Sequence, residues 1–103
     1  MPADLSDYLV MRDGSALSGT LKEKQIRFKP LFQTTPLDLK LARIVTIVFK
    51  HSGGYPEDRV QLREGGELRG TVVDKEWHLV SEDAGALTIR TKDVLALHHL
   101  ELR

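Results

Sequence analysis

The chain has 103 residues, enough for one domain or for two very small ones sharing a core. Hydrophobic residues make up 41% and charged residues 29%, the composition of an ordinary soluble globular chain rather than a disordered or membrane-spanning one. Fifteen Lys+Arg balance 15 Asp+Glu, which disfavours a generally basic nucleic-acid binder, and the lack of cysteine removes disulfide frameworks, thiolate zinc sites and cysteine nucleophiles.

The N-terminal run Met-Pro-Ala-Asp-Leu-Ser-Asp has neither a basic region nor an apolar stretch, so it does not read as a signal peptide. No stretch reaches the ~18 apolar residues of a membrane span, and no membrane insertion is expected. Cytoplasm is the default compartment; the periplasm would require a signal already removed.

From Asp7 onward the chain alternates as short strands: Leu9/Met11, Leu17/Leu21, Ile26/Phe28, Leu37/Leu39/Leu41 and Val45/Ile47/Phe49. Residues 41–49 could be a short buried helix on apolar count alone. The run Ile-Val-Thr-Ile-Val argues strand, because β-branched side chains fit a pleated surface. In the first hairpin, a two-residue loop would put Leu17 on the face away from Met11. A three-residue loop, Arg12-Asp13-Gly14, sets Leu17 opposite Leu9, and burial selects it. Gly14 then takes the left-handed position of a bulged turn, and Gly65 does the same in Arg63-Glu64-Gly65. Gly19 and Gly70 fall inside the second strand of each hairpin, where glycine marks a bulge, a bend or a close backbone approach.

The pattern then returns. Asp7–Lys24 and Asp58–Lys75 share seven of 18 positions at an offset of 51: Asp7/Asp58, Arg12/Arg63, Gly14/Gly65, Leu17/Leu68, Gly19/Gly70, Thr20/Thr71 and Lys24/Lys75. After a one-residue slip, Leu37, Leu39, Ile44, Val45 and Ile47 match Leu87, Ile89, Val94, Leu95 and Leu97. The chain therefore reads as residues 1–49, a linker at 50–57 marked by Gly-Gly and Pro, and residues 58–103. The expected fold is all-β: two tandem five-stranded small barrels, packed as one unit because ~45 residues make a marginal core alone.

The phrase apolar-x-apolar-Arg-acidic-Gly-x-x-Leu-x-Gly-Thr-apolar, at Leu9–Leu21 and Val60–Val72, resembles the first signature of Sm-like proteins. Ile44-x-x-Ile47 and Val94-x-x-Leu97 resemble that family's last strand. The chain is also similar to duplicated SH3-like small-barrel modules of bacterial envelope proteins, with their DG-x-x-L-x-G-T phrase. The resemblance implies a strongly bent five-stranded barrel and edge-to-edge strand pairing between subunits. It does not carry over RNA reading. The places of the family's Asp-x-x-x-Asn loop and Arg-Gly pair hold Glu23–Gln25 and Leu41–Arg43 in the first copy, and Asp74–Glu76 and Thr91–Asp93 in the second.

No catalytic pattern emerges: the acidic pairs Glu57-Asp58 and Glu82-Asp83 are adjacent and diverge along a strand, and no Ser-His-Asp pattern or phosphate loop occurs. His51, His78, His98 and His99 read as solvated surface residues; His98 and His99 point to opposite faces, so no metal site and no cofactor are expected. Lys22, Lys24, Arg27 and Lys29 cluster in a first half of charge +3, against −3 for the second half. They are the candidate contacts if the barrel binds RNA or DNA. The favoured reading is a non-catalytic scaffold that self-associates or docks on a protein partner. Asp93–Arg103 is expected to outlast its barrel as an unpaired edge, with Leu97, Leu100 and Leu102 as candidate interface residues. Phe32 and Val48 add apolar surface off the main alternation.

Overall fold

A computed structural model describes residues 6–50, 54, 56–81 and 83–100. The fold is all-β, with ten strands among the described residues: β1 (Ser6–Met11), β2 (Ala16–Leu21), β3 (Gln25–Pro30), β4 (Leu37–Lys40), β5 (Ile44–Val48), β6 (Asp58–Leu62), β7 (Glu67–Val72), β8 (Glu76–Ser81), β9 (Gly85–Arg90) and β10 (Val94–Leu100). The only helical elements among the described residues are single 3₁₀ turns at Leu41–Arg43 and Thr91–Asp93, each leading into a β-branched or apolar strand. The run Ile-Val-Thr-Ile-Val is β5, as its side-chain chemistry requires.

The first hairpin pairs Leu9 with Leu17, with Ser15 C=O accepting from Met11 N–H (2.8 Å) across the three-residue loop. Gly14 (φ +94°) and Gly65 (φ +106°) occupy left-handed backbone in the two matching turns. The second hairpin repeats the register with Val60 opposite Leu68.

The strands form one antiparallel sheet in the order β4-β3-β7-β6-β5-β10-β1-β2-β8-β9, rather than two separate five-stranded barrels. The order reads the same backwards when each strand is replaced by its sequence counterpart ten-strand-wise, β1 for β6 through β5 for β10. The centre of that symmetry is the pairing of Ile47 with Leu97. On one side lies β5-β6-β7-β3-β4, built from the continuous stretch 25–72; on the other lies β10-β1-β2-β8-β9, built from 6–21 and 76–100. The β3-β4 pair thus joins the hairpin of the second copy through β3, and the β8-β9 pair joins the hairpin of the first through β8.

Gly19 and Gly70 stand at these two crossings. A Cβ on Gly19 would overlap the carbonyl of Val80, and one on Gly70 the carbonyl of Lys29. Only a residue without a side chain lets the exchanged strands approach there. Burial of alternate residues joins both halves in one core, with Leu9, Ile26, Phe28, Ile44, Ile47, Val60, Trp77, Leu79, Val94 and Leu97 all at 0% exposure.

The last strand is not an edge. β10 sits at the centre of the sheet between β5 and β1, and Leu97 is fully buried on the symmetry axis. The pattern of alternating leucines reflects burial by two neighbouring strands, not an unpaired surface. The sheet ends instead at β4 and β9, each hydrogen-bonded to a single strand.

Candidate functional site

Each repeated aspartate ties the start of its hairpin to the end of it. Asp7 on β1 accepts from Leu21 N–H at 2.8 Å, and Asp58 on β6 accepts from Val72 N–H at 2.8 Å. Both carboxylates are buried, so each second oxygen also needs a donor. Asp58 finds the backbone N–H of Lys50 at 2.8 Å. Asp7 finds a side chain, His99 Nδ1 at 2.5 Å. His99 sits where the other half has Phe49, two residues past Leu97 and Ile47 respectively. Phe49 packs edge-on against Trp77 with ring centroids 5.8 Å apart.

His99 is therefore not a solvated surface residue. Asp7 and His99 are each 1% exposed. With Asp7 ionised its carboxylate only accepts, so Nδ1 then carries the ring proton and donates to it. The other ring nitrogen, Nε2, is buried and has no hydrogen-bond partner. Sequence reading missed this pair because 92 residues separate its members and histidine carries no apolar signal. The available hint was the substitution of His99 for Phe49 at matched positions.

Two clefts flank these anchors. One, of about 290 Å³, lies where the chain passes from β2 to β3. Asp7, His99, Leu21, Leu41, Lys22 and Lys24 are among its lining residues. Its counterpart, of about 330 Å³, is lined by the matching Asp58, Phe49, Val72 and Thr91, with Arg12 and Lys92. The 3₁₀ turns that wall the clefts are held by the repeated arginines of the opposite copy. Arg12 N–H donates to Asp93 C=O and its Nε to Lys92 C=O (2.8 and 2.7 Å). Arg63 N–H donates to Arg43 C=O (2.7 Å), and its side chain reaches Ala42, Ile44 and His99 carbonyls at 3.1–3.2 Å.

Acidic residues close the β2–β3 and β7–β8 passages in the same reciprocal manner. Glu23 accepts from His78 N–H (2.9 Å) and lies 2.6 Å from His78 Nδ1. Asp74 accepts from Arg27 N–H (3.2 Å) and Trp77 Nε1–H (3.0 Å).

The four candidate nucleic-acid contacts separate into two groups. Lys22 and Lys24 line the cleft at Asp7, whereas Arg27 and Lys29 lie on the outer face of β3. That outer face mixes signs: Arg27 pairs with Asp38 (3.8 Å), and Arg59 and Arg69 with Glu67 (both 3.9 Å). Of the candidate interface residues, Leu97 is core, Leu100 is 49% exposed and Leu102 lies outside the described residues. Phe32, at 70% exposure, sits beside Leu31 in the β3–β4 loop, and Val48 is half-buried on β5. His51 lies outside the described residues. Among the described residues no group of three His, Asp or Glu could hold a metal ion, and no helix is long and apolar enough to cross a membrane.

The free edges present ordered backbone. Arg27 C=O accepts from Val73 N–H (2.8 Å) and Arg27 N–H donates to Asp74, so both groups face β7. Those of its cross-strand partner Asp38 must then point away from the sheet. By the same reasoning, His78 C=O accepts from Lys22 N–H and His78 N–H donates to Glu23. The N–H and C=O of its partner Thr88 therefore face outward from β9.

Comparison of the chain with family models, with curated proteins and with solved structures finds no match in any of the three.

Proposed function

We propose that the protein is a non-catalytic scaffold that self-associates head to tail, β4 of one molecule pairing with β9 of the next. The observation that carries this reading is the pair of free edges. Strands β5 and β10 are consumed by pairing with each other, which among the described strands leaves β4 and β9 with outward-facing hydrogen-bonding groups.

Charge supports the polarity. Residues 25–72, which carry β4, hold eight Lys+Arg against five Asp+Glu, a net +3. Residues 6–24 and 73–100, which carry β9, hold six against eight, a net −2. An antiparallel register that sets Asp38 beside Arg90 of the second copy also sets Leu39 beside Ile89, matching charge on the outer face and apolar residues on the inner one. Edges at opposite ends of one molecule generate rings or filaments rather than closed two-fold dimers.

On this reading the two halves are Sm-like small barrels that have exchanged strands at Gly19 and Gly70, and self-assembly is the property retained. Nucleic-acid binding has less support, because acids interrupt the outer basic face at Asp38 and Glu67.

Light scattering after size exclusion tests the proposal. The expected mass exceeds two chains of 11.6 kDa and falls on dilution. Asp38→Pro removes one outward N–H without touching the β3–β4 ladder, as an edge strand tolerates, and is expected to yield single chains. A wild-type mass of one chain at ~100 µM, well above the micromolar range of ordinary specific contacts, would refute self-association.

A further inference from the structure

We infer that the cleft at Asp7 and His99 is a binding site for a small organic anion, one with an apolar body of about single-ring size and one carboxylate or phosphate group. The inference is independent of strand-edge assembly.

The fold does not need the histidine. In the matching half the same buried aspartate is satisfied by a backbone N–H, from Lys50, and the ring position is filled by Phe49. Replacing that hydrocarbon ring by an imidazole leaves Nε2 buried without a partner, which is unfavourable for stability. His99 thus departs from its counterpart in the direction that costs stability, at a matched position that lines a cleft in both halves. Structures keep such groups where a ligand or a reaction uses them.

The surroundings define the ligand. Leu21, Leu41 and Ala42 offer apolar wall, and the volume of about 290 Å³ falls just short of the ~300–1,000 Å³ of ligand sites, which limits the ligand to a small one. Lys22 and Lys24 border the cleft and have no ion-pair partner among the described residues. Its two carboxylates are already engaged: Asp7 with His99 and Leu21 N–H, Glu23 with His78. An anionic oxygen between the lysines and the imidazole completes an alternating row once Nε2 takes up a proton together with the anion: Asp7 carboxylate, cationic His99 ring donating from Nδ1 to Asp7 and from Nε2 to the ligand, then the anion. Carboxylate and phosphate share this chemistry. The matching cleft has basic residues, Arg12, Lys50 and Lys92, but not the imidazole, since Phe49 stands in its place.

The probes are benzoate, phenyl phosphate, inorganic phosphate and benzyl alcohol, each titrated into the full chain with ¹⁵N imidazole and methyl NMR detection. Benzoate or phenyl phosphate is expected to move the His99 ring nitrogens and the Leu21 and Leu41 methyls along one saturating curve. Benzyl alcohol and inorganic phosphate are expected to bind more weakly, since each lacks one half of the recognition. Which of the two aromatic anions binds more tightly identifies carboxylate or phosphate as the preferred group. His99→Phe, which copies the matching half, is expected to abolish saturation while keeping the amide spectrum of a folded protein. Lys22→Gln/Lys24→Gln, a change at exposed positions, is expected to weaken binding about fivefold. Equal benzoate shifts in His99→Phe, the absence of a saturating shift at His99, or tighter binding of benzyl alcohol than of benzoate would each overturn the inference. Should His99→Phe not fold, an unchanged affinity in the lysine variant would overturn it.

Discussion

The cleft at Asp7 and the cleft at Asp58 stand in one frame and end differently. Both have a buried aspartate that holds the far end of its hairpin, a 3₁₀ turn for a wall, and an arginine from the opposite copy clamping that turn. They part at the residue that meets the aspartate's second oxygen. A backbone N–H closes one site and leaves a phenylalanine free to pack; a histidine closes the other and leaves a ring nitrogen without a partner. What the halves share is therefore what the fold requires, and where they differ the fold is satisfied in either way. That separates the repeated aspartates, arginines and glycines, which hold the frame, from His99, which the matching half does without.

The largest effects should fall on the shared frame. Gly19→Val and Gly70→Val drive a side chain into backbone that cannot move aside, and each is expected to cost about 3 kcal/mol or more in urea unfolding. Gly14→Val and Gly65→Val meet open space and carry only the strain of a β-branched residue at positive φ, about 1–2 kcal/mol. Equal losses at the two kinds of glycine would dissolve the distinction between crossing and turn.

Next come the arginine clamps. Arg63→Ala frees three carbonyls and Arg12→Ala two, and losses of about 2 and 1 kcal/mol are expected in that order. His99→Phe sharpens the comparison directly. Asp7 is then left to recruit Leu100 N–H as Asp58 recruits Lys50, and with the buried Nε2 gone stability is expected to hold or to rise by up to about 1 kcal/mol. A loss as large as that of the crossing glycines would make His99 part of the frame.

The smallest effect separates the two turns. Ser15 N–H donating to Asp13 at 2.8 Å holds that exposed carboxyl below its usual range. Its contribution is present above the ordinary aspartate pKa and fades as pH falls through the lowered folded value. A carboxyl ¹³C titration is expected to give Asp13 a midpoint below that of a model aspartate, and an ordinary midpoint would remove the turn bond.

Much of this architecture was legible in the sequence. Alternation located the ten strands, and the choice of face selected the pairing of Leu9 with Leu17 from a single glycine. The exchange of strands was not legible, because alternation states which side chains are buried but not which copy covers them. Leu97 illustrates the limit: its apolar neighbours are consistent with an exposed edge or with the sheet's centre, and only the pairing of β10 with β5 decides. His99 was hidden for another reason. Its burial depends on Asp7, at the far end of the chain, and no local pattern announces a polar pair assembled across 92 residues. The 3₁₀ turns at 41–43 and 91–93 were likewise invisible, since their arginine clamps come from the other copy.

The central functional claim, head-to-tail pairing of β4 with β9, is tested most directly by mixing two edge variants. Asp38→Pro keeps β9 and loses β4; Thr88→Pro keeps β4 and loses β9. Light scattering on each variant alone and on their equimolar mixture reads the outcome. The account expects single chains for each alone and a dimer of one Asp38→Pro with one Thr88→Pro molecule in the mixture. Dimers of either variant alone, or a mixture that stays at one chain, would contradict it.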